Sequence, residues 1–493
     1  MNFAQTAKKS TQTKLTENGA KAYNTSGMGA LVDFFATAGA LRPRSASDIE
    51  DKFASAFAEN PLYATKALFY IGDIRNGGLG ERRTFRICLK WLAKNHPQIV
   101  RKNLKYIAYF NRYDSLFELV DTLVENEMWK FYKSELQSDW SNMKAGKSIS
   151  LAAKWAPSEN ASSKDTKRLA KRAIQKMELT PRGYRKILST LREYLKVTEV
   201  SMSNQNWHEI DYEAVPSKAM SVYNRAFGKH DYERFTAFIN QVKVGSKKIN
   251  ASTLFPYDLV HQVWNGKSNE VTEEQWKALP NYVEGEKNFL IMADVSGSMY
   301  GRPIETSIGL ATYFAERNKG VYHNLYMTFT DTPSFINLDG YHSLKSKVNY
   351  VRNTGVGYST NLEAAFNKVL SHAIQNNVSQ EELPEALIVI SDNEINPFFG
   401  ISSFWGGNRS YTLDFVDTMK VKFAAAGYKM PKLIMWNVEA RNDTFLSQSS
   451  DVLLVSGQSV SVFQQLMGNL NGVTAYDLMM KTLNKKVYDC ITI

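Results

Sequence analysis

Cysteine is nearly absent: Cys88 and Cys490 are the only two in 493 residues, far apart in sequence. That excludes a disulfide scaffold and a cysteine-based zinc site, and it suits a reducing compartment. Long apolar runs are missing as well. A membrane-crossing helix takes roughly 20 apolar residues in a row, and no stretch approaches that, so no membrane partner is expected. The opening "MNFAQTAKKSTQTKLTENG" is polar, with scattered lysines and no apolar core, so no signal peptide is read there. Catalytic signatures are lacking too. There is no Gly-rich phosphate loop closing on Lys-Ser/Thr and no His-Glu-x-x-His. "GLGER" at 78–82 lacks the preceding strand of a dinucleotide fingerprint, and the seven histidines are scattered. The chain reads as a soluble, cytoplasmic protein that is not an enzyme.

What is present is positive charge, unevenly spread. Net charge is +11, with 60 Lys+Arg against 49 Asp+Glu. Residues 1–280 carry +14 of it and residues 281–493 carry −3. A basic half joined to a slightly acidic one implies a module facing polyanions and a module with another task.

The periodicity changes near the same boundary. Residues 1–15 read as a flexible lead. From 16 to 280, apolar residues recur at three- and four-residue intervals, as in "SLFELVDTLVENEMWKFYKSEL", "RKILSTLREYLKV" and "DYERFTAFINQVKVG". Helix follows helix without strands, which predicts a helical-repeat array. From 281 to 493, short apolar runs alternate with amphipathic stretches. "KNFLIMADVS", "VYHNLYMTFTD", "EALIVISDNEI", "PKLIMWNVEA" and "DVLLVSG" are the strand-like runs. That alternation predicts βαβ units around a mostly parallel, doubly wound sheet, so the fold class is α + α/β. In such sheets ligands bind at the carboxyl ends of the strands. Asp294 and Asp392 each end a strand-like run, which puts both on one edge.

"DVSGS" at 294–298, taken alone, also reads as a helix cap. Asp294, Ser296 and Ser298 nevertheless resemble the Asp-x-Ser-x-Ser of von Willebrand factor A domains, the first part of the metal-ion-dependent adhesion site. Thr360 in "GVGYSTNLEAAF" and Asp392 in "VISDNEI" match the loop threonine and later aspartate that complete it. The resemblance implies Mg²⁺, with Mn²⁺ or Ca²⁺ as substitutes, and a protein partner that offers an acidic side chain. The residue types suit the ion. Mg²⁺ takes six oxygens at about 2.1 Å, and neutral hydroxyls with few direct carboxylates leave it electrophilic. Asp331, Asn393 and Glu394 are possible outer-shell residues.

In the basic half, residues 151–200 hold 12 Lys+Arg against 5 Asp+Glu. In "KDTKRLAKRAIQKM", Leu169, Ala170, Ala173, Ile174 and Met177 fall on one helical face. Lys164, Lys167, Arg168, Lys171, Arg172 and Lys176 fall on the other. Such a row can meet phosphates. Arg75, Arg82 and Arg83 around the glycine loop, Arg182, Arg185 and Lys186, and Lys247 with Lys248 are further candidates for nucleic-acid contact. Trp155, Tyr184 and Trp207 stand near these groups and could stack unpaired bases.

Long motifs extend the resemblance over nearly the whole chain: "DIRNGGLGERRTF", "FNRYDSLFEL", "SLAAKWAPS", "VSMSNQNWHEIDYEAVPSKAM" and "GSKKINASTLFPYDLV". With "ADVSGSM" they resemble a family known only as a domain of unknown function, found in plants, giant viruses and tailed phages. That family is distantly similar to the Ro autoantigens, which join a TROVE ring of helical repeats to a von Willebrand A domain and bind RNA. The resemblance implies a non-catalytic RNA-binding scaffold, working in the host cytoplasm if viral. The alternative is a metal-dependent protein-interaction adaptor without nucleic acid, such as a viral structural or host-interaction protein.

Overall fold

The computed structural model describes residues 13–283, 288–354, 357, 360–396, 415–449, 452–467 and 473–493. The expected lead at 1–12 lies outside them.

In the first half, helices start where a small polar side chain can take a free amide. Ser45 accepts from Asp48 N ahead of the Ala46–Glu59 helix, and Asn60 from Tyr63 N ahead of Pro61–Gly72. Ser163 and Thr180 do the same for Lys164–Lys176 and Pro181–Tyr194. Pro61 and Pro181 fall in the first turn, where a missing N–H costs nothing. Successive helices from Ala30–Thr37 to Pro97–Phe110 pack on their sequence neighbours. The stretch "SLFELVDTLVENEMWKFYKSEL" is not one helix. Tyr113–Leu119 is a 3-10 turn, Asp121 adopts φ 64°, and the α-helix begins only at Glu125–Lys144. The left-handed residue ends any helical run through it.

Among the described residues, the second half holds a six-stranded sheet. Its strands are β3 (Phe289–Asp294), β4 (Leu325–Phe329), β5 (Ser334–Asn337), β6 (Ala386–Ser391), β7 (Lys432–Asn437) and β8 (Leu453–Ser456). The order is β5-β4-β3-β6-β7-β8, parallel except for β5, which returns antiparallel along β4. Every residue of β3 and β6 is buried, as expected for central parallel strands covered on both faces. The chain runs from β3 outward to β4 and β5, then crosses back to β6. That places the topological switch point between β3 and β6.

Two short strands, β1 (Thr13–Leu15) and β2 (Lys21–Tyr23), form a hairpin ahead of the helices. Residues 13–15 were expected in the flexible lead and 16–280 without strands; the backbone of 13–15 is instead paired with a strand at 21–23. Tyr23 N donates to Phe445 O at 2.8 Å and Phe445 N to Tyr23 O at 2.9 Å, so the hairpin attaches to the sheet half.

The halves share one continuous hydrophobic core, with a second cluster around Tyr212, Phe227, Phe235 and Phe238. Close approach between them uses glycine. A Cβ on Gly39 would lie 2.7 Å from Ser456 O and Gly457 Cα, and one on Gly309 would lie 3.1 Å from the Pro256 backbone. The C-terminal segment returns to the helices. The Tyr488 hydroxyl donates to Asp73 Oδ2 at 2.9 Å, and Thr492 N donates to Asn103 Oδ1 at 3.1 Å.

Candidate metal centre and basic face

Ala293 of β3 lies opposite Ile390 of β6, so the chain leaves both strands at the same sheet edge, through Asp294 and Asp392. Both carboxylates are buried. Asp294 Oδ1 accepts from Ser296 N at 3.0 Å and Oδ2 from the Ser391 hydroxyl at 2.6 Å. Asp392 Oδ1 accepts from Glu394 N at 3.0 Å. Burial, reinforced by the Asp392 carboxylate, pushes Asp294 up to about 7, against the lowering effect of its Ser296 and Ser391 bonds.

The hydroxyls gather at this edge. Ser296 Oγ and Ser298 Oγ are 3.2 Å apart. Thr360 is fully buried; it donates to Glu394 O at 3.1 Å and accepts from Asn18 Nδ2 at 3.2 Å. Asp294, Ser296, Ser298, Thr360 and Asp392 thus belong to one cluster, linked through Ser391, Glu394 and Arg441. A threonine hydroxyl has one proton to donate. Because Thr360 gives it to Glu394 O, its oxygen faces any further group as an acceptor, which a metal ligand must be. The donor set is all oxygen and mostly neutral, which fits a hard divalent ion of the Mg²⁺ type. Among the described residues, no group of three or more His, Cys, Asp or Glu could hold a metal. Any ion here therefore depends on the hydroxyls.

Two participants escaped the reading of the sequence. Arg441, just past β7, donates to Asp392 Oδ2 and, at 3.0 Å, to Ser298 O. Arg44 in the helical half donates to Arg441 O at 2.6 Å, and Lys52 binds Asp443 at 2.5 Å, so the first half holds this loop. Asn18, in the hairpin turn, touches Thr360. The signal for Arg441 was its place after a strand; for Asn18, 342 positions from Thr360, sequence gave none. Tyr300, just past the Asp294–Ser298 loop, is 88% exposed. Asn393 and Glu394 are buried at this edge, while Asp331 lies beside Gly357.

The basic residues divide into free and engaged. Lys164, Lys167 and Lys171 are exposed on the Lys164–Lys176 helix, whose Ala170, Ala173 and Ile174 pack inward. Arg182, Lys186 and Lys248 are likewise exposed. None of these side chains makes an ion pair among the described residues. Arg168 pairs with Asp165 at 3.1 Å, Arg185 with Glu159 at 2.8 Å and Lys247 with Glu213 at 3.5 Å, all at the surface. Arg83 donates to Arg42 O at 3.2 Å. Burial, then nearby Arg112 and Arg86, lowers the Arg82 pKa from its ordinary value.

Two of the expected nucleic-acid contacts, one in the helical row and one at the glycine loop, are engaged within the chain instead. Arg172 grips both oxygens of Glu125 at 2.6 Å and Asp121 at 2.8 Å. Arg75 spends its guanidinium on the carbonyls of Ala108, Tyr109 and Asn111. The aromatic expectation also needs correction. Tyr184 is buried and donates to Pro157 O at 2.7 Å. Trp155 has the Arg112 guanidinium over its ring at 3.7 Å, and Trp207 stacks on His230 at 4.5 Å.

Comparison with known proteins gives two family matches. Residues 16–130 and 162–286 match Domain of unknown function (DUF2828), and residues 288–487 match Domain of unknown function (DUF7788). An uncharacterized protein of Acanthamoeba polyphaga mimivirus is 30% identical over 497 residues, covering 92% of this chain and 84% of the relative. Among solved structures, the Ro (RSR) protein of Deinococcus radiodurans aligns over 90% of this chain and 92% of its own. The TM-score is 0.36 and the identity 15%.

Proposed function

The chain belongs to the family that unites these two domains of unknown function with the mimivirus relative, and we propose that it acts as a non-catalytic RNA-binding scaffold with a Mg²⁺-dependent interaction site. Residues 16–280, helical from Ala30 onward, would be its basic, TROVE- or HEAT-like module, and residues 281–493 a von Willebrand A-like domain. The strand order with its antiparallel β5, and a hydroxyl-rich cluster at the switch point, support the second assignment.

The observation that carries the metal reading is the buried Thr360 hydroxyl, fixed as an acceptor by Glu394, whose own N–H holds the buried Asp392 carboxylate. Ser296, Ser298 and Thr360 would ligate the ion directly, with Asp294 and Asp392 holding its waters. A bound Mg²⁺ supplies an electrophilic centre that an incoming carboxylate can complete. The chain's own residues prepare that approach. Arg441 adds a fixed positive charge beside Asp392, and exposed Tyr300 offers an aromatic contact next to the loop. An acidic side chain on a protein partner is the group that the ion and Arg441 would favour.

RNA would follow the free cations Lys164, Lys167, Lys171, Arg182 and Lys186, with Arg82, Arg83, Arg168, Arg185, Lys247 and Lys248 at the margins. A cytoplasmic setting fits the two free cysteines, and among the described residues no helix is long and apolar enough to cross a membrane. Filter binding of single-stranded RNA across a salt series tests the scaffold: affinity should fall steeply with salt, and a flat response would overturn it.

One observation favours a second reading, the metal-dependent adaptor without RNA. Arg75 and Arg172 are held by carbonyls and carboxylates of the chain itself, and several other cations already have acidic partners. Purified protein free of nucleic acid, with a partner lost on EDTA treatment, selects that reading.

A further inference from the structure

The turn of the N-terminal hairpin is wedged against the metal edge. The Thr16 hydroxyl donates to Ile395 O at 2.6 Å, and the Glu17 amide to Glu394 Oε2 at 2.6 Å. Asn18 Nδ2 donates to Glu394 O at 2.5 Å and to Thr360 Oγ1 at 3.2 Å. From the other side, Asn442 Nδ2 donates to Glu17 Oε1 at 2.9 Å and to Glu394 Oε1 at 3.3 Å. The turn is also braced internally, Thr16 N to Ala20 O at 2.8 Å and Gly19 N to Thr16 O at 3.0 Å. Ala20 and Ala22 are fully buried behind it.

Glu394 is the joint between hairpin and site. Its main-chain N–H holds Asp392, its carbonyl receives both Thr360 and Asn18, and its carboxylate receives Glu17, Asn442 and Thr444. A hydroxyl offers one proton and two acceptor positions. Thr360 commits the proton to Glu394 O, and Asn18 fills one acceptor position, so the second is directed toward whatever lies beyond. Removing Asn18 takes a donor from both oxygens and frees the hydroxyl to rotate. The Asn18 amide orientation follows from its partners, since an oxygen in that place would face the Glu394 carbonyl.

We propose that divalent-cation binding at the sheet edge is coupled to docking of the N-terminal hairpin, with Asn18 as the residue that positions Thr360. The proposal rests on the metal-site reading given above. Asn18 is a positioning residue and not a ligand. Coupling of two binding events is reciprocal, so the ion fastens the hairpin by the same factor by which the docked hairpin tightens the ion. Residues 13–23 then belong functionally to the α/β half, although the helices intervene.

The test uses the full chain stripped with EDTA. Mg²⁺ is titrated calorimetrically into wild type and Asn18→Ala, and amide hydrogen exchange of residues 13–23 is followed with and without Mg²⁺. Mg²⁺ should slow exchange across the hairpin in wild type. Asn18→Ala should weaken Mg²⁺ binding about tenfold, as loss of a residue supporting a ligand does, and should lose most of that slowing. Melting in EDTA checks that the variant folds. If it does not, Asn442→Ala, which loosens the same turn through Glu17, carries the same expectation in direction. Equal Mg²⁺ affinity in a folded variant and wild type, or hairpin exchange indifferent to Mg²⁺, overturns the coupling while leaving the metal site standing. Wild type that takes up no Mg²⁺ overturns the metal site, and the coupling with it.

Discussion

The Arg441 guanidinium binds the carboxylate of Asp392 and the main-chain oxygen of Ser298 together, so one side chain ties the loop after β6 to the loop after β3. It also brings positive charge to a pair of buried acids that repel each other. Arg441→Ala should therefore destabilise the EDTA-treated protein by about 2 kcal/mol, less than a fully buried pair because Arg441 is partly exposed. Saturating Mg²⁺ should recover much of that loss by replacing the missing charge. Urea unfolding with and without Mg²⁺ reads both numbers, and an unchanged deficit in Mg²⁺ would count against a cation site beside Asp392.

Asp294 gives a pH dependence of definite sign. Its folded pKa of about 7 lies above the ordinary carboxylate value of 3.8, so the folded state binds the proton more tightly than the unfolded one. Without metal, its contribution to stability is fully present at low pH and is lost as pH rises from about 4 to about 7. Mg²⁺ binding runs the other way, because the ion favours the carboxylate. Mg²⁺ affinity measured between pH 6 and pH 8 should rise, and Asp294→Asn should flatten the profile.

The cations of the Lys164–Lys176 helix should separate by role. Lys164→Glu, Lys167→Glu and Lys171→Glu together should lower RNA affinity and reduce the salt slope by about 2 to 3, with the melting temperature little changed. Arg172→Ala should do the reverse. It leaves Glu125 buried without its partner, costing stability by about 1 to 3 kcal/mol, and moves the salt slope little. A salt slope that drops equally in both variants would contradict the division.

Gly39 sits where helix and sheet halves nearly touch. Gly39→Val would drive its side chain into the backbone of Ser456 and Gly457, which cannot swing aside. The expected cost is about 1 to 3 kcal/mol, seen as a lower urea midpoint. No loss of stability would show that the halves are not pressed together there.

Much of this arrangement is legible in the sequence because it depends on short-range pattern. Phe289–Ala293 and Ala386–Ile390 are uninterruptedly apolar, as strands buried on both faces of a parallel sheet read. Asp-x-Ser-x-Ser sits at a strand end, and strand ends of parallel sheets share an edge. The β5 strand and the Leu344–Thr354 helix escaped, the strand because its four residues are polar at both ends. Asn18 was invisible for a different reason: its partners lie hundreds of residues away, and nothing local distinguishes it from any turn asparagine. The basic helix shows the opposite failure. Its amphipathic split is real, but the pattern does not reveal that Arg172 reaches back to Glu125, or that Tyr184 points into the core.

The cation site itself is most directly tested by Mn²⁺, which shares the oxygen preference of Mg²⁺ and scatters anomalously. Crystals of the full chain grown with Mn²⁺ should show an anomalous peak bounded by the hydroxyls of Ser296, Ser298 and Thr360, on the Asp294 and Asp392 side of the sheet edge. A map with no peak there at saturating Mn²⁺ would contradict the proposed metal centre.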